Sequence, residues 1–129
     1  MKSKTKRATK PRETEAQFQR AVVGLARASG WRVFHARAAR TAKGWATPVQ
    51  YDGAGFCDLV LAHRKFGVLF LELKSADGGA TAAQVEWIAT LQAAGARALI
   101  VRPSQWAMIE AMLKPAPQVI WRADEVFEP

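Results

Sequence analysis

The chain of 129 residues holds a single cysteine, Cys57. No disulfide can form within it, and a reducing compartment such as the cytoplasm is the expectation. It has two histidines, His35 and His63, too far apart to give zinc-ligand spacing. With no histidine beside it, Cys57 reads as a small buried hydrophobe rather than a nucleophile. No apolar run approaches the ~18 residues that span a bilayer, so no membrane partner is expected. The basic start lacks the apolar stretch of a signal peptide. Acids are also scarce, 11 against 19 Lys and Arg, for a net charge of +8.

That charge is unevenly spread. Lys2, Lys4, Lys6, Arg7, Lys10 and Arg12 contribute +6 with no acid among them, leaving +2 for the rest. A second acid-free basic run contains Arg27, Arg32, Arg37, Arg40 and Lys43. Clustered cations displace counterions from a polyphosphate backbone, which points to nucleic acid as the partner. A solvated tail kept for solubility explains the first run equally well.

What is present is enough for one core. Half the residues are hydrophobic, and a domain of this size buries roughly two-thirds of its unfolded surface. Residues 1–12 read as a disordered basic arm, 13–114 as one domain, and 115–129 as an extension packing on it. Thr14 with Gln17 has the form of a capping box, and Phe18, Val22 and Leu25 recur at helical spacing until Gly30. A short strand follows at 31–35. Residues 36–55 show no period and read as a loop or irregular hairpin. Two apolar strands, 56–62 and 66–74, are joined by a short link that implies an antiparallel hairpin. Thr81 with Gln84 opens a second helix, with Val85, Ile88 and Leu91 expected inward. Ala98-Leu99-Ile100-Val101 reads as a buried strand, too apolar for an exposed edge. Pro103-Ser104 opens a third helix carrying Trp106, Ile109, Met112 and Leu113. The expectation is an α/β fold of order α-β-β-β-α-β-α, a mixed central sheet flanked by helices, with Val119-Ile120-Trp121 adding an edge strand or packing on the core.

The chemistry lies at the ends of the two central strands. Asp58 interrupts one apolar run, and Glu72-Leu73-Lys74 closes the next, fourteen residues on from Asp58 to Glu72. Alternation puts Glu72 and Lys74 on one face. In an antiparallel hairpin the early Asp58 meets the late Glu72. Two carboxylates at close range repel unless a cation lies between them. Hard oxygen ligands suit magnesium or manganese, with the Leu73 carbonyl as a further donor. Lys74 then stabilises developing charge or orients water. Glu15, in the first turn of helix 1, is a candidate third carboxylate. Gln84, in the first turn of helix 2, can hold a phosphate or a water. Each has a plainer reading: a surface ion pair for Glu72 and Lys74, a turn or cap for Asp58, a dipole-favoured carboxylate for Glu15, and a capping box for Gln84.

Glu15 with Gln19, Gly30-Trp31, Gly55-Phe56-Cys57-Asp58, Glu72-Leu73-Lys74, and Gly78 to Gln84 with Trp87 together resemble the VRR-NUC domain. That family belongs to the PD-(D/E)xK nuclease superfamily, with a restriction-endonuclease-like fold. The likeness spans residues 13–103. It implies a magnesium- or manganese-dependent DNA endonuclease with Asp58, Glu72 and the Leu73 carbonyl as metal ligands. It implies Lys74 as catalytic base or charge stabiliser, supported by Glu15 and Gln84. It also implies a phage or prophage homodimer acting on branched DNA such as four-way junctions. The proline of the superfamily name is replaced here by Cys57, at a position that supplies no ligand. The basic, patternless 36–55 segment, with Arg37, Arg40 and Lys43, is the candidate DNA contact. Two other classes fit the same residues: a DNA-binding protein that does not cut, and the nuclease subunit of a larger transposition or restriction complex.

Overall fold

A computed structural model describes residues 14–36, 39–46, 49–115, 120–121 and 126–127. The first helix, α1 (Glu15–Ala28), starts where Thr14 takes the Gln17 backbone N–H and Gln17 returns its side-chain oxygen to the Thr14 N–H. That reciprocal bonding satisfies two of the donors a helix start leaves open. Gly30 ends the helix with φ at +89°, a conformation glycine adopts without steric cost.

A four-stranded sheet carries the core, in the order β1 (Arg32–His35), β4 (Leu59–His63), β5 (Gly67–Leu73), β6 (Arg97–Val101). β1, β4 and β5 are antiparallel neighbours, while β6 runs parallel to β5 after the crossover helix α2 (Ala82–Ala93). The sheet is therefore mixed and the fold α/β, as expected. Two hairpins stand outside that sheet. β2 (Ala39–Thr41) pairs with β3 (Gly44–Ala46) within the segment that had no period. β7 (Ile120–Trp121) pairs with β8 (Val126–Phe127), so Ile120 and Trp121 form a separate two-stranded sheet rather than an added edge of the central one. The full order is thus longer than α-β-β-β-α-β-α, which holds only for the elements of the central sheet and its helices.

Alternation sorts the strands into two faces. Leu59, Leu61, Leu69, Leu71 and Leu73 face Phe18, Val22 and Ala26 of α1 and Ile109 and Leu113 of α3 (Trp106–Leu113). Val60, Phe70 and Ile100 face Ile88 and Leu91 of α2, with Cys57 and Ala98 beside them. Trp31 closes the first layer and donates its indole N–H to the Leu113 carbonyl at 2.9 Å, capping the end of α3.

Two expectations change. β6 is the last strand of its sheet, an edge by hydrogen bonding. Its apolar run is explained because residues of both its faces pack into core clusters. Val85 is not inward but 49% exposed. The buried stripe of α2 runs through Gln84, Ile88 and Leu91, spaced i, i+4, i+7, and Val85 lies on its flank. The arm at 1–12 lies outside the described residues. No helix among the described residues is long and apolar enough to cross a membrane.

Candidate metal centre

Asp58 immediately precedes β4, and the ladder pairs Leu59 with Leu71. One further step of that register sets Asp58 opposite Glu72, both on the α2 side of the sheet. The backbone ladder ends there, and the Asp58 side chain replaces it: Asp58 Oδ2 accepts the Leu73 N–H at 2.8 Å. Lys74 N–H bonds the other way, to the Val101 carbonyl of β6. In extended backbone one residue's N–H and C=O point to the same side. The Leu73 carbonyl is therefore directed toward the Asp58 side, past the end of β4.

Glu72 is 1% exposed, so it is not a surface ion pair. Its Oε1 lies 3.4 Å from Lys74 Nζ, itself buried, and accepts from Gln84 Nε2 at 3.0 Å. Its Oε2 is buried with no hydrogen-bond partner. Burial first, then the Asp58 charge, push Glu72 up from 4.5 to about 7, while Lys74 pulls it down. The same burial and the Glu72 charge raise the Cys57 thiol to about 12, which makes it inert as a nucleophile.

Gln84 does two jobs at once. Its Oε1 accepts the Thr81 N–H at 2.9 Å, completing the capping box, while its Nε2 reaches Glu72. The capping box is present, and the same side chain also reaches the Glu72 carboxylate. It can do this because position 84 lies on the inward stripe of α2.

A group that fits here would carry positive charge and accept hard oxygen ligands. The residues meet that requirement: two carboxylates at facing register positions, one buried oxygen without a partner, and a backbone carbonyl aimed at the same side. Asp58, Glu72 and the Leu73 carbonyl are the ligands a magnesium or manganese ion would use. Among the described residues no group of three or more His, Cys, Asp or Glu side chains forms a metal cluster. Glu15 is accordingly not gathered with the other two acids. It is exposed at the start of α1, the helix that packs on the opposite face of the sheet. Of the proposed DNA contacts, Arg37 lies outside the described residues. Arg40 sits in β2, and Lys43 is exposed in the turn between β2 and β3.

One residue near the site was passed over in the sequence. His35 Nδ1 lies 2.8 Å from the Asp58 carbonyl, which can only accept, so Nδ1 carries the proton. The ring thus holds the backbone of Asp58 from the end of β1. The 23-residue separation leaves no local signal for it. The connection before Asp58 is equally fixed. Gly55 has φ at +82°, and a Cβ there would lie 2.5 Å from Ala83 Cβ in the first turn of α2. Phe56 meets the Trp87 ring edge-on at 4.9 Å, and Trp87 Nε1 donates to the Asp52 carbonyl at 2.8 Å. A cleft of about 360 Å³ opens beside Asp58, with Asp58 and Gln84 as its polar residues and Val49, Gly53 and Ala54 in its wall.

No protein-family model, curated protein or solved structure matches the chain.

Proposed function

We propose that this chain is a magnesium- or manganese-dependent DNA endonuclease of the restriction-endonuclease-like class, its nuclease domain lying within residues 13–114. The observation that carries the reading is the buried Glu72 carboxylate. It has one oxygen without a partner, the Asp58 charge acts on it, and a buried lysine lies 3.4 Å away. Carboxylates are not buried together for stability alone. A cation between them resolves the repulsion and uses the orphaned oxygen.

Each residue then has a task. Asp58, Glu72 and the Leu73 carbonyl would hold the dication, which when bound would supply Lewis-acid stabilisation to a phosphodiester. Lys74 brings a positive charge to the developing transition state or orients the attacking water. Gln84 fixes the rotamer of Glu72, and His35 fixes the backbone of Asp58. Glu15 remains a candidate for a supporting role once DNA is bound. Arg37, Arg40 and Lys43, in the basic 36–55 stretch of the sequence, contribute phosphate contacts. The finer proposal is a cytoplasmic homodimer, with one site for each strand, acting on branched DNA such as four-way junctions.

The test is cleavage of labelled duplex, flapped and four-way DNA with magnesium, manganese or chelator. Metal-dependent cutting is expected. Glu72→Ala and Lys74→Ala should each lower the rate by about 10²-fold or more while DNA binding persists. Cutting that survives in both variants, or in chelator, rejects the reading.

A further inference from the structure

Tyr51 carries two penalties in one residue. Gly53 N–H bonds the Gln50 carbonyl at 3.1 Å, which closes a four-residue turn and puts Tyr51 at its second position. Its φ is +55°, and it is the only non-glycine described residue in the left-handed region. That region suits Gly, Asn or Asp and disfavours a bulky side chain. The side chain is also 99% exposed, so no packing compensates. Strain without a structural return marks a residue kept for a partner.

The rest of the loop is not loose. Trp87 holds the Asp52 carbonyl, Phe56 N–H bonds the Gly53 carbonyl at 3.1 Å, and Gly55 is pressed against Ala83. Tyr51 is thus projected from an anchored turn. Val49 and Gly53, on either side of it, line the cleft that ends at Asp58 and Gln84. Gly53, Ala54 and Gly55 line the cleft between the turn and Asp58, with Phe56 and Cys57 beside them. The cleft volume falls in the range of small-ligand sites, roughly 300–1,000 Å³.

We propose that Tyr51 stacks on an unpaired nucleobase next to the phosphodiester held at Asp58 and Glu72, so that the substrate is nucleic acid with an unpaired stretch rather than continuous duplex. Every base has a π-face, so an aromatic platform accepts any of them. In duplex both faces of a base are already covered by its neighbours, and Tyr51 finds nothing to stack on. The inference rests on the nuclease reading and adds the substrate class to it.

Fluorescence titration tests it without cleavage. A single-stranded oligonucleotide carrying one aminopurine, and its duplex form, are titrated with the full chain in chelator. The unaltered protein should quench the single strand. Tyr51→Ala and Tyr51→Gly should weaken single-strand binding about five- to hundredfold and remove the quenching, with duplex affinity unchanged. Tyr51→Phe should keep both. Tyr51→Gly suits the backbone, so its melting temperature should match or exceed that of the unaltered chain, which separates stacking from a structural role. Unchanged single-strand affinity in the Ala and Gly variants, or an equal loss on duplex, overturns the proposal and leaves the nuclease reading intact. Failure of the unaltered chain to bind either DNA overturns both.

Discussion

Replacing Glu72 by Gln isolates the cost of the buried charge. In the metal-free protein Glu72 titrates near 7 instead of 4.5, because burial and Asp58 disfavour its anion. The folded state therefore binds the proton more tightly than the unfolded chain. The resulting stability is complete below pH 4.5 and is lost as pH rises through about 7. That interval, at about 1.4 kcal/mol per pH unit, corresponds to on the order of 3 kcal/mol. Glu72→Gln keeps an oxygen for Gln84 Nε2 and, like the protonated acid, sets no negative charge beside Asp58. The two proteins should melt alike at about pH 5, and the variant should melt about 10 °C higher at about pH 8.5. Circular-dichroism melts in chelator read this directly. Adding manganese at the higher pH should raise the melting temperature of the unaltered chain and leave the variant nearly unmoved. Parallel melting curves across the pH range, or equal stabilisation of both chains by metal, would refute the account of Glu72.

Two further substitutions probe the supports of the site. Gln84→Ala removes both the Thr81 N–H acceptor and the Glu72 donor; a loss of about 1–2 kcal/mol in denaturant unfolding is expected, with slower metal-dependent cleavage of DNA. Gly55→Ala forces a Cβ to 2.5 Å from Ala83 Cβ at a positive φ; it should cost about 2 kcal/mol or more and weaken metal binding by displacing the approach to Asp58, and a variant that melts and binds manganese like the parent contradicts this.

The sheet and both halves of the site were legible because their signals are local. An apolar run interrupted by Asp58, and another closed by Glu72-Leu73-Lys74, set strand, face and end together, and the short link from His63 to Gly67 fixed the hairpin. The capping boxes at Thr14 and Thr81 were equally plain, each needing four consecutive residues. What failed was the rotation of α2. Val85, Ile88 and Leu91 look like a stripe, but the inward row runs from half-buried Gln84 through buried Ile88 to Leu91, and a polar residue at its head is one that composition assigns to the surface. The grip of His35 on Asp58 depends on a backbone carbonyl, a partner that every residue has and no sequence marks. The strain at Tyr51 belongs to the turn, not to the residue type, so no sequence pattern marks it. Glu15 followed the acid pattern but rides on the helix of the other face.

The substitution of a side chain for the last rung of the β4–β5 ladder turns the Leu73 amide proton into a gauge of the centre. Its nitrogen signal is set by how Asp58 is charged and turned. A dication taken up at Asp58, Glu72 and the Leu73 carbonyl should shift that amide signal. Occupancy can thus be followed by solution NMR at one backbone position, with no labelled metal and no substrate.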